Sequence, residues 1–235
     1  MPQKAQIIKL QQSVADFYET YGSAFSDTRG RGWNVMRRVL EATKPGMTAV
    51  DVGGGNGRLA DGLDSSVDYV LVEPSSTLRA AAEERLRARP KTKILAGGFP
   101  VVPVEDAVAD VTACFAVLHH VPTRAAQRNA LKELARITKS GGLVCVTVWN
   151  LRTRRMLRSR LSWKNFLAAW LRFPMVAGGE SGDVWFPWKA NGVFAQRFVH
   201  AFTLNELKRL FDAQDWNVTE AGEEKGNLFV VATRR

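Results

Sequence analysis

The chain has 235 residues, 46% of them hydrophobic, and a formal net charge of +10. That length and composition suit one α/β core and exclude a disordered or fibrous chain. No N-terminal apolar region resembles a signal peptide, and no run of about 18 uncharged apolar residues is present to cross a bilayer, which predicts a cytoplasmic protein without stable membrane insertion.

From the N-terminus, Ile7, Leu10, Val14, Phe17 and Tyr18 recur at helical spacing and predict a helix over 3–21, packed across a cofactor cleft. A second helix over 33–42 is broken by Pro45-Gly46. An apolar strand over 48–52 carries Asp51 at its end and runs into Gly53-Gly54-Gly55-Asn56-Gly57, with a helix expected from about 56. A second strand, 68–73, ends on Glu73, 22 positions after Asp51. A helix over 75–88, strands at 92–96 and 110–116, a helix over 123–138 stopped by Ser140-Gly141-Gly142, and a strand at 143–149 follow. Residues 150–198 read as an insertion within the one domain, helical to about Arg172 and irregular through Gly178-Gly179 and Pro187. A helix over 203–213 and strands at 216–221 and 227–233 close the chain.

Strands alternating with helices imply a parallel sheet covered on both faces. The last two strands are joined by too short a stretch for a parallel crossover, so they must pair antiparallel. The expected architecture is α/β: a doubly wound, mostly parallel seven-stranded sheet with an antiparallel edge hairpin and a helical insertion after the fifth strand. Cys114 and Cys145 both fall in expected core strands, which predicts buried reduced thiols, and two cysteines make no metal site.

The turn after Asp51 carries the chemistry. Glycines at 53, 55 and 57 permit a tight turn and close backbone approach to a ligand, and Glu73 stands where doubly wound folds place the acid that holds ribose hydroxyls. Arg58 occupies the third-glycine position of the dinucleotide fingerprint, and no P-loop lysine follows. The D-x-G-x-G-x-G spacing resembles motif I of the class I S-adenosylmethionine (SAM) methyltransferases; a glycine-rich turn without a ligand is the plain alternative. The resemblance implies SAM as cofactor, Asp51 facing the methionine amine, Glu73 on the ribose, and further contacts from Tyr18, Gly53, Gly55, Asn56, Gly57, Phe99 and Ala116. Two departures stand out: Gly97-Gly98 replaces a common aspartate, leaving adenine to backbone donors near Phe99, and Gly54 replaces a common cysteine, which reads as harmless.

Further blocks narrow the resemblance. Phe25-Ser26-Asp27-Thr28-Arg29 with Trp33, Ala116-Val117-Leu118-His119-His120, Val148-Trp149, the Gly182–Lys189 block and Arg197-Phe198-Val199-His200-Ala201-Phe202 together resemble the tRNA wobble-uridine carboxymethyl methyltransferases. The resemblance implies methyl transfer to the carboxylate of 5-carboxymethyluridine in the tRNA anticodon loop, and, in many members, a small zinc-ribbon activator protein. Gly30 and Gly32 replace the bulkier residues of that family between Arg29 and Trp33. A carboxylate is already ionised at neutral pH, so the reaction needs alignment and a cationic clamp more than a strong base. Arg29 and Arg197 are expected to form the clamp and His119 to line the catalytic pocket, with Lys189 and His200 at the substrate. Each has a structural alternative: a helix brace for Arg29, an ion pair for Arg197, a backbone hydrogen bond for one of His119 and His120, and a scaffold role for His200.

The charge is concentrated. Between Leu134 and Gly179 there are nine basic residues and no acidic one, and five of the seven tryptophans lie in or beside this stretch. Basic residues with interspersed aromatics are the footprint of a polyanion, so Arg154, Arg155 and Arg158 are expected to bind RNA. A solvated or protein-docking face and a membrane surface are the alternatives for the segment. For the whole chain the alternatives are a methyltransferase of a small carboxylate, lipid or quinone-like substrate, and a non-catalytic binding module. Intact Asp51, Glu73 and the glycine turn argue against the last.

Overall fold

The computed structural model describes residues 2–27, 34–152, 179–190, 193–212 and 215–235. Arg29, Arg154, Arg155 and Arg158, and nearly all of the part of the insertion expected to be helical, lie outside the described residues.

Helices α1 (Pro2–Asp27) and α2 (Met36–Ala42) precede strand β1 (Thr48–Val52). Strand β2 (Asp68–Glu73), helix α3 (Ser76–Leu86) and strands β3 (Thr92–Ala96) and β4 (Ala109–Phe115) follow. Then come α4 (Arg124–Ile137), β5 (Thr138–Trp149), β6 (Asp183–Ala190), β7 (Val193–His200), α5 (Leu204–Asp212), β8 (Trp216–Glu224) and β9 (Asn227–Arg234). Seven strands form one sheet in the order β3-β2-β1-β4-β5-β9-β8. The first five run parallel, and β9 lies antiparallel to both β5 and β8. This is the doubly wound, mostly parallel sheet with an antiparallel edge hairpin that the sequence predicts.

Both faces of the sheet are buried because successive side chains alternate. Val50, Val52, Cys114, Val144, Val146, Val148 and Val230 pack under α4 and α5, while Ala49, Tyr69, Leu71, Val111, Ala113, Cys145 and Val231 pack under α2 and α3. Burial pushes the thiol of Cys145 up to about 12 and that of Cys114 higher still, so both stay protonated and inert.

Two expectations are corrected. The helix expected from about 56 is only a short 3-10 turn, Arg58–Gly62. Asp64 ends it by accepting both the backbone N–H (2.8 Å) and the hydroxyl (2.6 Å) of Ser66, a local bond that competes with continuing the helix. The stretch around Pro187, expected to be irregular, is instead an antiparallel hairpin in which Asp183 pairs with His200 and Phe186 with Arg197. Pro187 is tolerated because each strand of a two-stranded ribbon has a free edge. The alternation was present in Val184, Phe186 and Trp188, all buried. The hairpin packs Val184, Phe186 and Val199 against Trp149, and Phe198 against Leu10 of α1.

Candidate active site

A cleft opens at the carboxyl ends of β1, β2 and β4, where doubly wound sheets bind ligands. Its polar floor is Asp51 and Glu73; Met36, Leu59, Leu78 and Phe115 give it apolar walls. Glu73 is only 4% exposed and accepts the backbone N–H groups of Gly55 (3.0 Å) and Ser75 (2.9 Å), which ties the end of β2 to the glycine turn. Burial raises its carboxyl to about 7 despite those two donors. Asp51, 3% exposed, is raised to about 6 by the same cause, with the hydroxyl of Tyr69 and the charge of Arg58 pulling the other way.

These residues fit SAM. Its sulfonium and amino groups are cations that favour ionised carboxylates nearby, and its ribose supplies two hydroxyl donors for Glu73. Gly55 adopts φ +59°, and a Cβ built there meets nothing within 4 Å, so the turn presents bare backbone to the cleft. Ala116 lines the opposite wall at φ +59°, a left-handed conformation costly for alanine, held by bonds from its N–H to the carbonyl (2.9 Å) and hydroxyl (3.0 Å) of Thr147.

Helix α1 closes one side. Glu19 accepts bonds from the amide and hydroxyl of Ser76 and the hydroxyl of Ser75, so its carboxylate sits at the N-terminus of α3, where the helix dipole favours it. One residue back, Tyr18 faces the cleft and its hydroxyl meets His120 Nε2 at 3.0 Å. His120 Nδ1 lies 2.9 Å from the Phe198 carbonyl, which can only accept, so Nδ1 carries a proton, and in the neutral tautomer this selects Nε2 is the acceptor facing the Tyr18 hydroxyl. One histidine thus links α1, the end of β4 and the β6–β7 hairpin.

The expected site residues divide on this geometry. Tyr18, Asp51, Gly53, Gly55, Asn56, Glu73 and Ala116 line the cleft; Gly57 closes the turn behind them at φ +77°. His119 does not line it: the ring is fully buried against Trp149, whose backbone N–H donates to Nδ1 at 3.3 Å, and the neighbouring His120 takes the wall position. Phe99 is partly buried against the core cluster under α4 and α5 and is not among the residues lining the cleft. His200 is also withdrawn, fully buried with Nδ1 2.6 Å from Asp183 and Nε2 3.1 Å from Glu206. Those two carboxylates raise its pKa against the opposing effect of burial, and Arg124 bonds Glu206 in turn. Lys189 stands on β6, opposite Phe194 in register.

Arg197 is fully buried beside the cleft, not in its wall. Its guanidinium lies 4.0 Å from the ring centre of Phe17, 4.9 Å from that of Trp149 and 5.6 Å from those of Tyr18 and Phe186. An aromatic box of this kind stabilises a cation through ring faces. Arg58 and Tyr69 are contributors that motif reading passed over. Among the described residues no group of His, Cys, Asp and Glu is arranged to hold a metal ion.

Comparison with known proteins identifies the domain and the fold. Residues 50–146 match the family described as a methyltransferase domain. An Encephalitozoon cuniculi protein named as a methyltransferase is 27% identical over 93% of this chain and 93% of its own length. A Schizosaccharomyces pombe protein named tRNA (carboxymethyluridine(34)-5-O)-methyltransferase is 24% identical over 94% of this chain and 96% of its own. An Arabidopsis thaliana protein of that name is 30% identical over 56% of this chain, and the match spans 31% of its length. Among solved structures, a SAM-dependent methyltransferase from Methanosarcina mazei superposes with TM-score 0.68 at 18% identity, covering 87% of this chain and 99% of that one. A complex containing the Haloferax volcanii Trm112 methyltransferase activator gives TM-score 0.62 at 16% identity, covering 92% and 97%.

Proposed function

This chain carries a class I SAM-dependent methyltransferase domain, and we propose that it methylates the carboxylate of 5-carboxymethyluridine at the tRNA wobble position, forming a methyl ester. The end-to-end match to the S. pombe relative carries this reading. The buried cation beside the cleft supports it, because an anionic nucleophile needs positive potential at the substrate end.

SAM, when bound, supplies an electrophilic methyl group. Glu73 accepts from its ribose hydroxyls, and Asp51 holds the amino group. Tyr18 and His120 close the side of the cleft and exclude water that would compete for the methyl group. Arg197, boxed behind Tyr18 and Trp149, attracts the substrate carboxylate through its field without touching it, and Arg29 is the proposed direct clamp. Aligning an already ionised oxygen needs no general base, so positioning supplies most of the rate. Arg154, Arg155, Arg158 and Lys189 hold the RNA backbone. A small activator subunit belongs to the same reading, supported by the likeness to the protein bound to its activator in the H. volcanii complex.

The test is the fate of the methyl group. tRNA carrying carboxymethyluridine, labelled by this protein from methyl-labelled SAM, is expected to release its label as methanol in mild alkali. Label that survives alkali places the methyl on a base or ribose and overturns the ester reading, leaving the methyltransferase itself standing.

A further inference from the structure

The orientation of Asp51 is not set by the glycine turn alone. Tyr69 lies on β2 opposite Ala49 of β1, two residues before Asp51, and its side chain is fully buried. Its hydroxyl donates to Asp51 Oδ2 at 2.8 Å. Burial and the neighbouring carboxylate keep the phenol protonated by raising its pKa well above the usual value, so it acts as a donor throughout the neutral range. Above the same carboxylate sits Gly54, where a Cβ would stand 2.6 Å from Asp51 Oδ2 and 2.8 Å from its Cγ. The glycine that reads as a harmless replacement for cysteine is therefore the space this rotamer of Asp51 occupies. Any side chain there drives the carboxylate off the Tyr69 hydroxyl.

We propose that Tyr69 is a positioning residue of the cofactor site: its hydroxyl holds one oxygen of Asp51 so that the other faces the cofactor amine, and Gly54 is the space that permits it. The inference rests on Asp51 as a cofactor ligand and is independent of the RNA substrate. Besides Tyr69, the charged and titratable groups around Asp51 are Arg58 from the turn, Glu73 at the end of β2 and the thiol of Cys114 on β4.

Calorimetric titration of the full chain with S-adenosylhomocysteine across the neutral and mildly acidic range tests it, using the native protein, Tyr69→Phe, Asp51→Asn and the double variant. Tyr69→Phe removes one hydrogen bond and little volume, so it should weaken binding roughly five- to tenfold. Read in a Glu73→Gln background, where Glu73 no longer titrates, the loss of affinity on acidification should move to higher pH, because the donor that lowers the pKa of Asp51 is gone. In the Asp51→Asn background the same substitution should cost less than about twofold, since the two residues act as one unit. Gly54→Ala, whose Cβ would stand 2.6 Å from the Asp51 carboxylate and 3.1 Å from Leu71 Cδ1, should bring a loss at least as large. An equal Tyr69→Phe effect in both backgrounds, an unmoved acid limb, or native affinity in Gly54→Ala each reduces Tyr69 to core packing and overturns the proposal. Native affinity in Asp51→Asn removes Asp51 from the site and the inference with it. A loss in Asp51→Asn alone leaves the site standing and overturns only the role of Tyr69.

Discussion

Glu73 shows how a binding residue is held ready at the cost of stability. Its carboxyl is raised by burial to about 7 from the ordinary 4.5, so the folded chain binds a proton there that the unfolded chain releases at lower pH. Stability is lost as pH rises from the unfolded value through about 7, a penalty of up to about 3 kcal/mol at one unit of pKa per 1.36 kcal/mol. Glu73→Gln should therefore gain stability at alkaline pH in urea unfolding while losing cofactor affinity, because its side chain offers a weaker acceptor to the ribose. In the native protein, affinity for S-adenosylhomocysteine should fall as pH drops below about 7, and Glu73→Gln should lack that part of the profile. A variant that keeps native affinity would remove Glu73 from the ribose site.

At the scale of elements, the β6–β7 hairpin is the part that completes the cleft. It supplies the Phe198 carbonyl that fixes the His120 tautomer and the Arg197 cation behind Tyr18. His200 fastens it through Asp183 at the start of β6 and Glu206 on α5. Because the pKa of His200 is raised, its contribution is complete below its unfolded value near 6.5 and fades as pH climbs through the raised folded value. His200→Gln leaves buried Asp183 without its cation and Glu206 with Arg124 alone, and should destabilise by about 3–5 kcal/mol, read by urea unfolding. Faster hydrogen exchange should concentrate in β6 and β7. A loss below about 1 kcal/mol, within the range of surface substitutions, would return His200 to a role at the substrate.

For the whole molecule, the cofactor cleft and the basic segment are separate demands on one chain. The fold supplies the first at the carboxyl edge of the sheet, and the insertion supplies the second as excess charge. Reversing Arg154, Arg155 and Arg158 to Glu changes the charge by two at each site and takes the total from +10 to +4. Binding of tRNA should weaken, and its dependence on salt should flatten as fewer counterions are released. Affinity for S-adenosylhomocysteine should stay within about twofold, since none of the three arginines is assigned to the cofactor. Unchanged tRNA binding in the triple variant would make the segment a lid or docking face.

The order of elements, the two carboxylates and the glycine turn were legible in the chain because each is local: alternation marks a strand, and Asp51 and Glu73 are the strand ends that a parallel sheet brings side by side. Two adjacent histidines carry no such mark. Whether His119 or His120 faces the cleft depends on the short turn after β4 and on a carbonyl 78 positions away, at Phe198. The same holds for Arg197 and His200, whose motif suggested substrate contact and whose burial was decided by the aromatic side chains of α1 and the carboxylates at Asp183 and Glu206. Pro187 hid the hairpin because a strand breaker in sequence is harmless at a free edge, and only the pairing shows where the edges are. Sequence determined which chemical groups the chain brings to the sheet edge, since short-range periodicity fixes strand ends; tertiary structure alone decided which of those groups face the cleft, since that follows from contacts between segments far apart in the chain.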